Sequence, residues 1–256
     1  MLSVQHLDKR FGGVHATRDV SIDFPDGSLT AIIGPNGAGK TTFFNLISGA
    51  LRPDSGKVVF AGRDIAGLSS LKVVRLGMAR AFQVAALFPS LTVREALTAA
   101  VTSHLRKSWA LLQRFPLAET RTRTEEIIEL LGLQAKASTP SRNLSHGDQK
   151  LLDIGLALAM DPKVLLLDEP TAGMGPDERW RMIAKVQHLW EIRKMTVLFI
   201  EHDMDIVFKI AQTIHVLKYG AVLAQGTADE IRRNQDVIDA YLGADHHLAD
   251  AAGEPR

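Results

Sequence analysis

Gly34-Pro35-Asn36-Gly37-Ala38-Gly39-Lys40-Thr41-Thr42 is the stretch on which the fold turns. It fits the pattern G-x-x-x-x-G-K-[ST], and its flanks give that pattern meaning. Before it, Leu29-Thr30-Ala31-Ile32-Ile33 is an apolar run that reads as a buried strand; after it, Thr42-Phe43-Phe44-Asn45-Leu46-Ile47 reads as a helix. A loop between a strand end and a helix N-terminus turns backbone N–H groups inward, where the helix dipole adds positive potential. Glycines let such a loop wrap a phosphate chain at positive φ. Lys40 is placed to put a point charge on β- and γ-phosphates, and the Thr41 hydroxyl to ligate Mg²⁺. The loop predicts nucleotide binding without saying what the nucleotide is for.

Composition narrows the rest. The chain has 256 residues, enough for one domain, or one domain with an added lobe, around a sizeable core. A net charge of +1 argues against a polyanion-coating protein, so no nucleic-acid partner is expected. The absence of cysteine excludes disulfides and thiolate metal sites and suits the cytoplasm. Residues 1–10, MLSVQHLDKR, contain no apolar segment of the signal-peptide kind, and no uncharged run approaches a membrane span. Any membrane role is therefore expected to come through a partner.

Along the chain, Leu2–Leu7 and Val20–Phe24 alternate with period two, as half-buried antiparallel strands do, with Phe11 in the loop between them. Pro25-Asp26-Gly27 turns into the phosphate-loop strand, and Pro53-Asp54-Ser55-Gly56 turns into a strand at Lys57–Ala61. Helical spacing at Leu68, Leu71 and Val74 precedes a short strand, Met78–Phe82, that ends at Gln83. From about 84 to 160 the pattern is helical: Thr92 and Glu95 have capping-box spacing, Glu125–Leu131 is stopped by Gly132, and a long helix runs from Gln149 to Met160. This reads as an inserted helical lobe. Within it, residues 104–123 carry His104, Arg106, Lys107, Arg114, Arg121 and Arg123 against Glu119, a solvated face or a contact for anionic lipid or an acidic loop. Strands return as the apolar runs Val164–Asp168 and Val197–Glu201, with a helix opened by Pro176-Asp177-Glu178 between them. Thr213–Leu217 and Ala221–Ala224 close the sheet, helices at Ala228–Arg233 and Asp236–Leu242 follow, and residues 244–256 read as a frayed tail.

Three further constellations carry chemistry. Asp168-Glu169 closes a buried strand, where a carboxylate contact to Mg²⁺ belongs, and Glu169 is then placed to orient or deprotonate an attacking water. Leu144-Ser145-His146-Gly147-Asp148 opens a helix; a capped start with a serine hydroxyl and a glycine N–H is also an anion site. Two phosphate-binding sites in one chain make sense if they meet across a dimer. His202, in Glu201-His202-Asp203, lies beyond a strand's carboxyl end, on the ligand side of an open α/β sheet. His6, His15, His188, His215 and the pair His246-His247 have no such context and receive no role.

With these motifs in this order, the chain resembles an ATP-binding cassette (ABC) ATPase from residue 1 to about Gly243. The resemblance implies an α/β fold: a RecA-like P-loop core with an N-terminal antiparallel β subdomain and an inserted α-helical subdomain at about 84–160, all within 1–243. It implies Phe11 as the aromatic that stacks on adenine, Gly34 to Thr42 as the ATP loop, and Gln83 as the sensor of Mg²⁺ and attacking water. Glu169 would be the catalytic base, His202 the γ-phosphate switch, and Thr41, Gln83 and Asp168 the Mg²⁺ contacts. Ser145 and Gly147 would clasp, in trans, the ATP held by a second ABC ATPase subunit in a head-to-tail dimer. Gly77–Gln83, Ile200–Met204 and Ala240–Gly243 resemble the ATPase subunits of hydrophobic, including branched-chain, amino acid importers. Partners implied are two membrane permease subunits and, indirectly, a solute-binding protein, with the chain on the cytoplasmic face of a bacterial inner membrane. Urea, amide or aromatic acid cargo, or a soluble non-transport ABC ATPase, are the alternatives. Two departures stand out. His146 and Asp148 replace the glycine and glutamine of the usual Leu-Ser-Gly-Gly-Gln, and Gly175 stands where an aspartate is usual.

Overall fold

The computed structural model describes residues 2–81, 88–105 and 117–241. In chain order the strands are β1 (Leu2–Phe11), β2 (Val14–Phe24), β3 (Leu29–Ile33), β4 (Ser55–Phe60), β5 (Arg63–Asp64), β6 (Met78–Ala81), β7 (Val164–Asp168), β8 (Thr196–Ile200), β9 (Thr213–Lys218) and β10 (Ala221–Gly226). The helices are α1 (Lys40–Ile47), α2 (Ser70–Leu76), α3 (Val93–His104), α4 (Ala118–Leu131), α5 (His146–Leu158), α6 (Pro176–Arg193), α7 (Met204–Ile210) and α8 (Ala228–Arg233). Residues 235–241 are also helical. The chain forms two compact units, Met1–Val73 with Thr196–Arg256, and Val74–Met195.

The first unit holds two sheets. One is antiparallel in the order β2-β1-β4-β5. The other carries β10-β9-β3-β8, with β3 parallel to β8 and β9, and β10 antiparallel to β9. Every residue of β3 and of β8 is buried, as continuous apolar strands covered on both faces should be. Phe24 from β2 meets Phe43 from α1 at 6.4 Å between ring centres, both fully buried. Each such ring contributes about 1.5–3 kcal/mol through burial, so this pair helps tie the loop helix to the antiparallel sheet. β1 and β2 are longer than alternation alone predicts, and Phe11 is the last residue of β1 rather than part of a loop. Register shifts along β1 break the period-two pattern, and His6 sits there at a φ of +50°.

The second unit pairs β6 with β7 in parallel, Ala81 opposite Leu167, and surrounds them with helices. Thr92 caps α3 with the full capping box to Glu95, as its spacing predicts. α4 starts at Ala118, well before Glu125. Its first turns bury Thr120 and Thr124, polar side chains that hide a helical stripe from a hydrophobic reading. Arg94 bridges to Glu125 at 2.7 Å across α3 and α4, but both side chains are largely exposed, so the pair is worth at most about 1 kcal/mol. Close packing does more. A Cβ on Gly155 of α5 would come within 2.6 Å of a Leu131 methyl and 3.1 Å of a Leu97 methyl, so a larger residue there would push these leucines aside. Of the basic stretch, Arg123 pairs with Asp161 at 3.0 Å; Arg106, Lys107 and Arg114 lie outside the described residues, as does the tail at 244–256.

His215 of β9 is a buried titratable group in the first unit. Its ring stands edge-on to Phe24 at 5.6 Å, and among the described residues its Nδ1 has no hydrogen-bond partner. Burial pushes its pKa from 6.5 down to about 4. Between those values the unfolded chain binds the proton and the folded chain does not, so stability is lost as pH falls through that window. Replacing His215 with Phe should flatten the acid limb of the unfolding free energy, removing about 3 kcal/mol of the loss between neutral pH and pH 4 in urea titrations.

Candidate nucleotide site

The phosphate loop is clamped from two sides by backbone. Gly34 has a φ of +148°, and a Cβ there would lie 2.1 Å from the Leu217 carbonyl oxygen at the end of β9. Gly39 has a φ of +97°, and its Cβ would lie 2.2 Å from the carbonyl oxygen of Ala16 in β2. No other residue fits either position. Between them Gly37 faces open space among the described residues, with none of their atoms within 4 Å of a Cβ. α1 begins after Gly39 with no side-chain cap, so its first-turn N–H groups are directed to the loop's interior. Lys40 is 7% exposed, and its ammonium donates to the Gly34 and Pro35 carbonyls at 2.7 and 3.1 Å. An uncapped helix start, an open glycine face and a buried cation inside the loop are the donor set that a phosphate chain requires, so the residues present fit a nucleotide.

The surrounding strands bring further side chains to this loop. In the parallel pair β3–β8, Ile32 lies opposite Ile200, so Gly34 and His202 leave the sheet at the same end. His202 is exposed, and its backbone N–H donates to the buried Glu201 carboxylate at 3.2 Å. Asp203 caps α7, accepting from the N–H groups of Asp205 and Ile206 at 3.1 and 3.4 Å. Phe11, at the tip of the β1–β2 hairpin whose Ala16 abuts Gly39, is 46% exposed, with the Lys9 ammonium 5.5 Å from its ring centre. An exposed aromatic face there is available for stacking. Burial pushes the Tyr241 hydroxyl up to about 12, opposed by its hydrogen bond to the Gly34 backbone, so the chain's last described helix touches the base of the loop.

The second unit carries Asp168, Glu169, Ser145 and Gly147. Asp168 ends β7 and receives the Arg80 guanidinium from β6 at 2.5 Å. Glu169 follows at a φ of +48°, where a non-glycine residue is strained by about 1–3 kcal/mol, and its carbonyl accepts from the Ala172 N–H at 3.2 Å. Strain of this kind concentrates where a side chain must be aimed. Among the described residues, no three His, Asp or Glu side chains form a metal cage. Mg²⁺ needs none, since it keeps water and binds through one or two protein ligands plus phosphate oxygens. A hydroxyl at Thr41 and a carboxylate at Asp168 are hard oxygen donors of the right chemistry. Gln83 lies outside the described residues.

α5 begins at His146, not at Gln149, because Ser145 is its N-cap. The Ser145 hydroxyl accepts from the Asp148 N–H at 3.2 Å and donates to the Asp148 carboxylate at 2.6 Å. Lys136 also pairs with that carboxylate. His146 Nε2 donates to the Ala172 carbonyl at 3.1 Å, fastening the helix start to the segment after Glu169. A Cβ on Gly147 would strike the Glu178 carboxylate at 2.2 Å, so Gly147 keeps its N–H next to α6 without a side chain in the way. Gly175, the N-cap of α6, has an ordinary φ of −68°, and among the described residues nothing lies near its Cβ, so their packing does not impose glycine there. Local sequence does not mark Arg80, Lys136 or Tyr241 as site residues. Arg80 and Lys136 reach partners across turns of chain, and no local pattern marks them.

The residues match the family model described as ABC transporter over 17–172, and the model described as Branched-chain amino acid ATP-binding cassette transporter over 221–247. The chain is 38% identical to the high-affinity branched-chain amino acid transport ATP-binding protein LivG of Salmonella typhimurium, covering 95% of this chain and 98% of that one. It is likewise 38% identical to BraF of Pseudomonas aeruginosa, described in the same words, over 95% and 98% of the two chains. Among solved structures, a nucleotide-free ATP-binding cassette from an ABC transporter superposes with a TM-score of 0.82 at 30% identity, covering 94% of this chain and 98% of that one. A dimeric cassette in a post-hydrolysis state, bound to ADP and Pi, superposes with a TM-score of 0.74 at 25% identity over 89% and 99%.

The Arg80–Asp168 pair yields a stability prediction. The Arg80 side chain is 8% exposed, so truncation strands a partly buried carboxylate. Arg80→Gln should lower the unfolding free energy by about 2–3 kcal/mol in denaturant melts, and Asp168→Asn should recover part of that loss in the double variant.

Proposed function

The chain belongs to the ABC transporter family, and on that premise we propose that it is the ATP-hydrolysing subunit of an importer for branched-chain or other hydrophobic amino acids. The observation that carries the ATPase reading is the clamped loop with the buried Lys40 ammonium inside it. The match of residues 221–247 to the branched-chain cassette model supports the cargo, as do LivG and BraF. Residues 1–243 are read as one ABC ATPase domain, with the helices from about 84 to 160 inserted in its nucleotide-binding core.

In this reading each residue has a physical task. Gly34, Pro35, Asn36, Gly37, Ala38, Gly39 and Thr42 wrap the phosphates with backbone N–H groups, and Lys40 supplies the charge that offsets them. Phe11 stacks on the adenine. Thr41, Gln83 and Asp168 hold Mg²⁺, which when bound neutralises negative charge on the β- and γ-phosphates. Glu169 accepts the proton of the water that attacks the γ-phosphate in line. His202 donates to the γ-phosphate and reports its loss. Ser145 and Gly147 reach the ATP of the opposing subunit, in a head-to-tail dimer whose other member is a copy or a paralogue. The dimeric cassette that superposes on this chain supports that arrangement. Among the described residues no helix is long and apolar enough to cross a membrane. Two permease subunits carry the cargo, a solute-binding protein delivers it, and this chain sits on the cytoplasmic face of the membrane.

Glu169→Gln should leave ATP affinity unchanged and slow hydrolysis by about two to four orders of magnitude; normal turnover contradicts the assigned base. Lys40→Ala should weaken binding of a fluorescent ATP analogue by about ten- to a hundredfold, the worth of a charge-assisted contact. In vesicles containing the permeases and binding protein, leucine, isoleucine or valine should stimulate hydrolysis, and urea should not.

A further inference from the structure

We propose that Asp148 and Lys136 form a gate on the Ser145 hydroxyl, setting how readily this chain engages the γ-phosphate of an opposing subunit. The inference rests on the reading of Ser145 as a donor in trans. A phosphate oxygen can only accept, so Ser145 must offer it a proton. That single proton points instead to the Asp148 carboxylate, 2.6 Å away, while the serine oxygen caps the Asp148 N–H. A glutamine at this position would bring no negative charge to compete for the serine proton. The carboxylate here is an acceptor, and its charge opposes an approaching phosphate.

Lys136 is what makes the arrangement workable. It ends the short helical turn Gln134–Lys136 and pairs with the same Asp148 oxygen that holds the serine proton. Lys185 of α6 adds a second positive charge that acts on Asp148, while its ammonium donates to the Leu131 carbonyl at the end of α4. Burial raises the Asp148 pKa, but the hydrogen bonds from Lys136 and Ser145 outweigh it and hold the carboxyl below its ordinary value. Asp148 therefore stays charged at neutral pH and stays paired when Ser145 leaves it. When a γ-phosphate arrives, Ser145 turns from Asp148 to the phosphate, and Lys136 keeps the carboxylate neutralised. Without Lys136 the freed carboxylate would face the phosphate with only the charge of Lys185 against it.

The test uses the full chain with Glu169→Gln, measuring self-association driven by MgATP in an ultracentrifuge and cis affinity with a fluorescent ATP analogue. Asp148→Gln removes the competing acceptor and should tighten ATP-driven association about tenfold, the size of one charge-assisted hydrogen bond. Lys136→Gln should weaken it about tenfold, and should have no effect once Asp148 is Gln. Analogue affinity should be unchanged throughout, which a general structural defect would not allow. Unchanged or weaker association for Asp148→Gln, or an equal effect of Lys136→Gln in both backgrounds, overturns the gate. Ser145→Ala separates the two levels. If it weakens association while Asp148→Gln fails to tighten it, the gate alone falls. If the parent associates with MgATP neither with its own copy nor with a paralogous cassette, or Ser145→Ala has no effect, the reading in trans falls with it.

Discussion

The contact on which the site depends is the approach of two carbonyl oxygens to two glycine α-carbons. Leu217 closes on Gly34 and Ala16 closes on Gly39, each so near that a methyl group could not be inserted. These contacts fix the loop between β9 on one side and β2 on the other, and both glycines are held at positive φ. Their consequence is that the uncapped start of α1 and the Lys40 ammonium are set in advance of any ligand. Preorganised donors of this sort bind phosphate without an ordering cost at the moment of binding. Val14–Phe24, a strand of the antiparallel sheet, thus serves the site twice. Its Ala16 braces the loop, and its hairpin presents Phe11.

In the second unit, strain and charge are managed by different means. Glu169 is held in a left-handed conformation just after a buried strand, with a backbone hydrogen bond from Ala172 closing the turn. The same Ala172 accepts from His146, so the start of α5 and the segment carrying the proposed base share one residue. A glycine in place of His146 could make no such bond. The departure at His146 is therefore a physical connection between the groups proposed to act on two different nucleotides. At Gly175 the reverse holds, since nothing in the packing of the described residues demands a glycine there. Loss of the usual aspartate leaves the His146 link as a described tie between helix start and catalytic segment.

Much of this was legible in the sequence for reasons that can be stated residue by residue. β3, β7 and β8 are covered on both faces, and their apolar runs say so. Thr92 and Glu95 encode a capping box that forms. Legibility ended where tertiary contacts override local pattern. Buried Thr120 and Thr124 disguised the first turns of α4. α7 gives little sequence signal because its stripe, Ile206, Val207 and Ile210, is short and follows the chemically conspicuous Glu201-His202-Asp203, whose Asp203 is its cap. Arg80 sits in the edge strand β6, and its ion-pair partner lies 88 residues away in the sequence, beyond any local pattern. Lys136 likewise gained meaning only when the fold set it beside Asp148.

Under the proposed function these features form a nucleotide clamp that a second cassette completes. In the proposed reading the loop holds phosphate, the Arg80 ion pair positions Asp168, the strained turn aims Glu169, and the Ser145 wall serves another subunit's ATP. A site completed by a second cassette makes hydrolysis depend on encounter. The most direct measurement is the steady-state ATPase rate per chain, at saturating MgATP, across a broad dilution series of the protein. The rate per chain should rise with protein concentration and level off as dimers fill. A rate per chain that stays constant and undiminished on dilution to monomer would contradict the shared site.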